Sequence, residues 1–320
     1  MKNKRKLYYA IAVILILSLA TFCEEYIRHN QTDDIADTVE IVYVDKLPED
    51  LLSDDTNLQM FFFDVGQADS TLIMDNGTVM LIDAGEDRNG KLLANYISEL
   101  GISYIDYIIG THDHADHIGG LDKIIDEFDI GEVYMPITST ENGSVEYKEV
   151  IESLKNKEKA IQKVEKGDSF EIGDATGIVM FVDNDEPKNV NNSSIIMQVT
   201  LDENNYLFMG DAEKAIENLG NSKNAEEKIE WTKVDVLKVG HHGSNTSSTQ
   251  KFLNITSPQI AIISVGKGNR YRHPSESVIN RLIKIGAEIY RTDELGTIHL
   301  ENVNGENIIN ILKTNIQGVK

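Results

Sequence analysis

Thr111-His112-Asp113-His114-Ala115-Asp116-His117-Ile118-Gly119-Gly120 packs three imidazoles and two carboxylates into ten residues. Neutral imidazole and carboxylate oxygen suit Zn²⁺, with Mn²⁺ or Fe²⁺ as substitutes, and the HxHxDH spacing lets two histidines serve one ion while Asp116 and His117 turn toward another. Of the eight histidines in the chain, five fall in this run or in the pair His241-His242. A polar loop that merely happens to be rich in histidine does not account for that clustering. Upstream, Tyr104 to Gly110 reads as a short buried strand. Downstream, Leu121 to Phe128 reads as a helix opened by the two glycines, so the run lies on a strand-to-helix loop, where α/β proteins build sites.

Farther out, short apolar runs alternate with helical stretches. Met60–Phe63, Ser70–Met74 and Val79–Ile82 read as strands, with Asn76-Gly77 a strong hairpin signal. Lys91–Leu100 is an amphipathic helix closed by Gly101. A second set of strands follows at Ile178–Val182, Ser194–Leu201 and Tyr206–Met209, and Val234–Val239 runs into the His241-His242 loop. A helix at Ser275–Ile285 and strands at Glu288–Tyr290 and Thr297–Leu300 complete the pattern, with no internal repeat or low-complexity block. A chain of 320 residues with 41% hydrophobic content can bury one large core. Two sheet halves with helices outside, and a site along one sheet edge, is the expected architecture.

The HxHxDH run, with Asp83 in Leu81-Ile82-Asp83-Ala84-Gly85 before it and Gly210-Asp211-Ala212 and Gly240-His241-His242-Gly243-Ser244 after it, resembles the metallo-β-lactamase-fold hydrolases in the order and spacing of all four blocks. Phe63-Asp64-Val65-Gly66-Gln67-Ala68-Asp69-Ser70, the GHHGS block and Arg270-Tyr271-Arg272-His273-Pro274 are similar to the extracellular hydrolase domain of ComEC-type competence proteins, the DNA-uptake channels. The resemblance covers about Leu58 to Leu312 and implies an α/β fold, an αββα sandwich. ComEC-type channels join this domain to a large multi-span channel, and the expectation here is a stand-alone relative, so a DNA-uptake role is not carried over with the fold. Many superfamily members also place a metal-binding histidine between the HxHxDH run and the bridging aspartate. Here no histidine occurs between His117 and His241, and Asn191-Asn192-Ser193-Ser194 occupies that place.

The resemblance implies roles. His112 and His114 bind the first of two divalent ions, Zn or Mn, and Asp116 and His117 the second, with Asp211 as the bridging carboxylate. One GHHGS histidine completes the second site. His242 is preferred, which leaves His241 for substrate contact or catalysis, but spacing alone does not separate them. Asp83 follows a buried strand and is expected to orient a ligand histidine. Asp64 and Asp69 are read either in that supporting role or as turn caps. Asn192 and Ser193 offer hydrogen bonds beside the first ion. Arg270 and His273, with Lys267 and Arg272, form a cationic cluster able to grip one phosphate, and the other reading is a solvated turn. Lys238 is either a phosphate contact or an edge residue. Water activated between two ions, with Asp116, Asp211 and His241 in the catalytic set, would attack phosphorus. The ester or lactam carbonyl is the alternative target, and a non-catalytic accessory module related to DNA uptake is a different class altogether.

The first domain, residues 1–23, begins with Lys2, Lys4, Arg5 and Lys6 and runs uncharged through 17 residues from Leu7 to Cys23. That is the short end of a bilayer span, with the basic end cytoplasmic. Ser18-Leu19-Ala20 has the small residues of a cleavage site, whereas Glu24-Glu25 suits an uncleaved anchor, which is favoured. Lipoprotein processing at Cys23 is disfavoured by bulky Phe22. Either outcome puts the hydrolase domain, 58–320, outside the cytoplasmic membrane, behind an acidic linker at 24–57. Cys23 is the only cysteine, so an intrachain disulfide is excluded. A formal charge of −23 argues against strong non-specific binding of duplex DNA, which needs a basic face. It favours a smaller or envelope phosphodiester as the substrate, and oligomeric state is left open.

Overall fold

Alternation along Met60-Phe61-Phe62-Phe63 sets the layer order, because successive strand side chains leave opposite faces. Phe61 and Phe63 join a buried cluster with the helical residues Leu93, Tyr96 and Ile97, whereas Phe62 stacks on Phe208 of a second sheet with ring centroids 6.3 Å apart. The computed structural model describes residues 42–44, 58–137, 141–185, 189–224 and 228–312. The expected N-terminal hydrophobic helix and most of the expected linker lie outside them. Among the described residues no helix is long and apolar enough to cross a membrane.

The first sheet takes β1 (Val42–Val44), β2 (Gln59–Phe62), β3 (Thr71–Asp75), β4 (Thr78–Ile82), β5 (Tyr104–Ile109), β6 (Asp129–Tyr134) and β7 (Ile161–Gln162). The second takes β8 (Ser169–Ile172), β9 (Ala175–Phe181), β10 (Ile196–Leu201), β11 (Asn204–Phe208), β12 (Val236–Lys238), β13 (Ile260–Ile263) and β14 (Glu288–Arg291). The chain then returns to the first through β15 (Thr297–Val303) and β16 (Glu306–Leu312), giving the orders β1-β16-β15-β2-β3-β4-β5-β6-β7 and β14-β13-β12-β11-β10-β9-β8. β1 falls inside the stretch expected to be linker, and its backbone pairs parallel with β16.

The helices are α1 (Asp87–Glu99), α2 (Ala115–Ile118), α3 (Leu121–Glu127), α4 (Val145–Asn156), α5 (Lys214–Glu217), α6 (Gln250–Thr256), α7 (Glu276–Lys284) and α8 (Thr292–Leu295). In α1, Gly90, Leu93, Ala94 and Ile97 form a buried stripe at helical spacing, and each large aliphatic side chain there contributes about 1.5–3 kcal/mol of burial. That face packs on the first sheet together with Ile124 and Ile125 of α3 and Val150 and Leu154 of α4. Phe252 and Leu253 of α6 and Val278 and Leu282 of α7 cover the second sheet in the same way. The result is a mixed α/β fold of two sheets, with helices on the outer face of each.

β2-β3-β4 are antiparallel and lead to parallel β5, β6 and β7. β9-β10-β11 are likewise antiparallel and lead to parallel β12, β13 and β14. The loops that leave β4, β5, β11 and β12 carry Asp83, the HxHxDH run, Asp211 and the His241-His242 pair, the usual location of sites at the carboxyl ends of parallel strands. One close approach holds the first pair of loops together. Gly120 N–H donates to Gly85 O at 3.0 Å, and a Cβ on Gly120 would stand 2.4 Å from Ala84 O, so no larger residue fits there.

Candidate metal centre

β5 ends at Ile109, and the chain then turns so that His112 is fully buried and His117 is too. Asp83, directly after β4, fixes this turn: its Oδ1 accepts from Thr111 N at 2.8 Å, and its Oδ2 accepts from Thr111 Oγ1 at 2.8 Å and pairs with His117 Nδ1 at 2.7 Å. A carboxylate on Nδ1 leaves Nε2 as the outward-facing atom of that ring. His112 Nε2 lies 3.0 Å from His114 Nδ1.

The second half supplies Asp211. Gly210 has φ of 50°, and a Cβ there would come within 2.9 Å of Ser194 Oγ and 3.2 Å of Thr111 Cβ. Asp211 is thereby carried beyond β11 into the buried cluster, where its N–H donates to Ser194 Oγ at 3.0 Å. Its Oδ1 lies 3.2 Å from His117 Nε2 and 3.8 Å from His242 Nε2, and its Oδ2 lies 3.9 Å from His112 Nε2 and 3.5 Å from His241 Nε2.

His241 and His242 both have left-handed backbones, with φ of 52° and 51°, a conformation that costs of order 1 kcal/mol or more for each such residue. The double turn gives the two rings different surroundings. His242 is buried, its Nδ1 donates to Ser264 O at 3.0 Å, and its Nε2 lies 3.4 Å from Asp116 Oδ2. His241 is partly exposed, with Nδ1 3.2 Å from Thr246 Oγ1 and 3.4 Å from Glu213 Oε1.

Two groups of side chains therefore converge, His112, His114 and Asp211 in one and Asp116, His117 and His242 in the other, and Asp69 brings a buried carboxylate oxygen within 4.8 Å of His117 and Asp211. His117 Nε2, His242 Nε2 and Asp211 Oδ1 are buried without hydrogen-bond partners. Polar atoms orphaned in this way are costly unless something else satisfies them. An imidazole and carboxylate set with such atoms turned inward fits divalent metal ions, which this fold family implies.

The electrostatics agree. Burial opposes a charge on His117, yet Asp211 and Asp83 push it well above the usual histidine range. Burial likewise opposes the charge on Asp211, but His117 and His242 hold it well below the ordinary carboxylate value. For Asp116, burial is outweighed by the adjacent His242 ring and the charge of His117, and the carboxyl is depressed. His112 and His114 move the other way: burial and then His117 keep them neutral. Anionic oxygens surrounded by imidazoles form a seat for a cation.

Above the cluster opens a cavity of about 680 Å³ lined by His114, Asp116, Asp211, His241 and His242, and also by Gln67, Glu86, Arg88, Asn191, Asn269, Arg270, Tyr271 and His273. His273 is pressed down to about 4, by burial and then by His242 and His241. Other residues singled out in the sequence stand elsewhere. Asn192 Oδ1 accepts from Glu213 N at 3.1 Å and Ser193 Oγ donates to Val190 O at 2.7 Å. The short helical turn over Val190–Ser193 presents Asn191 to the cavity instead, and Ser194 is the residue that touches Asp211. Lys238 is buried and donates to Asp69 Oδ2 at 2.7 Å, so neither its phosphate-contact nor its solvent-edge reading describes its surroundings. Asp64 Oδ1 accepts from Gly66 N at 3.2 Å, a local turn. Arg88, Glu86 and Gln67 were not singled out in the sequence, because only the fold brings them to Arg270. Gln67 stands inside the Phe63–Ser70 block and Glu86 directly follows Leu81–Gly85, the one available signal.

Residues 63–267 match the Metallo-beta-lactamase superfamily. ComE operon protein 3 of Bacillus subtilis is 32% identical over 208 residues, 65% of this chain and 26% of that protein. Recombination protein 2 of Haemophilus influenzae is 30% identical over 249 residues, 76% of this chain and 28% of that protein. Competence protein ComA of Neisseria gonorrhoeae is 29% identical over 241 residues, 74% of this chain and 31% of that protein. These are ComEC-type competence proteins, and the chain spans about a quarter to a third of their length. Among solved structures, the metallo-beta-lactamase fold protein YhfI from Bacillus subtilis aligns with a TM-score of 0.46 and 9% identity over 73% of this chain and 96% of that one. Since the matched segment spans both loops that build the cluster and more than half of the sequence, the chain belongs to the metallo-beta-lactamase superfamily.

Proposed function

We propose that this chain is a divalent-metal-dependent hydrolase of phosphodiesters, held outside the cytoplasmic membrane by its N-terminal segment. The observation that carries the reading is buried Asp211, placed between two groups of candidate ligands, with its Oδ1 and the Nε2 atoms of His117 and His242 buried without partners. His112, His114 and Asp211 would hold one ion, and Asp116, His117 and His242 the other, with Asp211 common to both. When bound, two divalent ions, Zn or Mn, supply Lewis acidity that makes water a nucleophile at neutral pH and takes charge from the leaving oxygen.

The rest of the chemistry belongs to the chain. Asp83 fixes the His117 ring, so the nitrogen facing the cluster is set before substrate arrives. Arg270 and Arg88, at the cavity wall, bind the non-bridging oxygens of a phosphodiester as charge-assisted donors. His241, partly exposed with Nδ1 against Thr246 Oγ1, presents its other ring edge to the reacting group. The paired cationic side chains favour phosphorus over a carboxylic ester or lactam. With a chain charge of −23, a nucleotide or a cell-envelope diester suits the site better than a long duplex, whose phosphates the protein would repel.

The test is hydrolysis of bis-p-nitrophenyl phosphate, linear single-stranded DNA and a chromogenic cephalosporin by the Mn²⁺- or Zn²⁺-loaded protein, with and without chelator. Chelator-sensitive diester cleavage is expected. Cephalosporin turnover with both phosphodiesters untouched would reassign the reaction, and inactivity on all three with ions bound would favour an accessory module.

A further inference from the structure

Beneath the cluster lies a buried ion pair that the proposed chemistry does not use. Lys238 is the last residue of β12 and Asp69 sits on the loop between β2 and β3, 169 residues away in sequence, with Nζ 2.7 Å from Oδ2. Both are almost fully buried, at 3% and 4% exposure. Such a pair stabilises little by itself, because desolvation offsets the attraction, whereas removing one partner strands the other charge in the interior. A pair of this kind calls for a role other than stability.

Its surroundings supply one. Asp69 N–H donates to Asp116 O at 3.0 Å, and Asp69 O accepts from Gly85 N at 2.8 Å. Gly85 O in turn accepts from Gly120 N, and Ala84 N donates to His117 O at 2.7 Å. The backbone of Asp69 thus carries the segment bearing Asp116 and His117. Its free carboxylate oxygen, Oδ1, is buried without a hydrogen-bond partner and lies 4.0 Å from His242 Nδ1. Asp116 meets Asp69 through the backbone, His242 meets it through Oδ1, and His117, whose carbonyl is held by Ala84 beside the bonded Gly85, brings a ring nitrogen within 4.8 Å of the Asp69 carboxylate. His112 and His114 do not meet Asp69: their positions are set by Thr111, Ser194 and each other.

We infer that Lys238 and Asp69 are positioning residues for the second ion: the ammonium, delivered by β12, pins Asp69, and Asp69 holds Asp116, His117 and His242 in register across the two halves of the domain. The inference rests on the two-ion reading above, and its test reads metal rather than turnover.

Zn²⁺ binding to the purified full chain, followed by equilibrium dialysis and metal analysis, is compared for wild type, Lys238→Met and the neutral pair Asp69→Asn/Lys238→Met, with a thermal melt of each. Lys238→Met should keep one ion at wild-type affinity and bind the other about 10–100-fold more weakly, with a lowered melting temperature. The neutral pair should regain most of the melting temperature, since no charge is stranded, but not the affinity for the second ion. Recovery of both would make the pair a structural filler and overturn the inference, as would equal weakening of both ions. A wild-type chain that binds a single ion overturns this inference and the two-ion reading together. Two ions bound normally by every variant overturns this inference alone.

Discussion

The two halves of the domain share a strand order and put it to different use. In each, an antiparallel run, ending in β2-β3-β4 in one and β9-β10-β11 in the other, leads to parallel strands, and the loop after the first strand so added bears histidines, His112 after β5 and His241-His242 after β12. An aspartate follows the last antiparallel strand in both. Asp83 comes directly after β4 and turns to Thr111 and His117 Nδ1. Asp211 comes two residues farther beyond β11, past Gly210 at φ 50°, and faces four imidazole Nε2 atoms within 3.9 Å. Equivalent places in a fold therefore yield an orienting carboxylate in one half and a centre-facing one in the other, and the displacement of two residues decides which. The halves differ also at their edges, since only the first sheet is extended by the β15–β16 hairpin.

The largest effect should come from the centre-facing aspartate. Asp211→Ala removes the one carboxylate common to both candidate sites, and we expect diester turnover to fall by at least about 10³-fold, with loss of bound metal. Circular dichroism should show the fold retained, which separates loss of metal and turnover from loss of structure. Full turnover in this variant would end the asymmetry between the two aspartates.

Next in size is a test of the sheet extension. His299 on β15 is fully buried, stacks on Phe61 at 4.4 Å, and lies 3.3 Å from Gln59 Oε1 and 3.2 Å from Asn310 Nδ2. Burial lowers it from 6.5 to about 4. As pH falls, the unfolded chain takes up this proton first, so the neutral ring's contribution is complete above about pH 6.5 and is lost as pH falls through 4. The loss is up to about 3 kcal/mol. His299→Gln should flatten this part of the acid limb in denaturant titrations at stepped pH, and an unchanged slope would mean that the hairpin opens before the ring titrates.

Asp83→Asn should cost less than loss of Asp211: about 10–100-fold in metal affinity or turnover, the range for a partner that orients a ligand histidine. Asparagine retains an acceptor for Thr111 but holds the His117 ring less firmly. A loss as severe as that of Asp211→Ala would mean the two aspartates are not different in kind.

How much of this was legible in the sequence follows the same division. The first loop was readable because its imidazoles are contiguous and lie between a strand and two glycines, and the strands near it were placed within a residue or two. β6, β13, β16, α4 and α6 were not singled out, their patterns being short or mixed. The repeated strand order was invisible, since it lives in hydrogen-bond pairing and leaves no matching residues. At Asn191-Asn192-Ser193-Ser194 the reading named the middle pair, whereas a short helical turn presents the outer pair to the site. Lys238 was unreadable for a simpler reason: its partner is 169 residues away.

The smallest effects should distinguish the cavity walls, where each half contributes one arginine. Arg270, beside the second-half histidines, lies over the Tyr271 ring at 4.7 Å and donates to its neutral hydroxyl, whereas Arg88 in the first half is ion-paired with Glu86 at 2.5 Å. An arginine already paired must give up that contact to hold a phosphate, so its net contribution is smaller. Arg270→Ala should raise KM for a diester about tenfold and Arg88→Ala about threefold, with kcat little changed, because contacts made equally in ground and transition states appear in KM. Glu86→Gln sharpens the point: freeing Arg88 should lower KM in the wild-type background and leave it unmoved when Arg88 is already alanine. If Arg88→Ala proves the more damaging of the two, or Glu86→Gln raises KM, then the first half supplies the principal anion contact, and the contrast between the orienting and the centre-facing aspartate does not extend to the cavity walls.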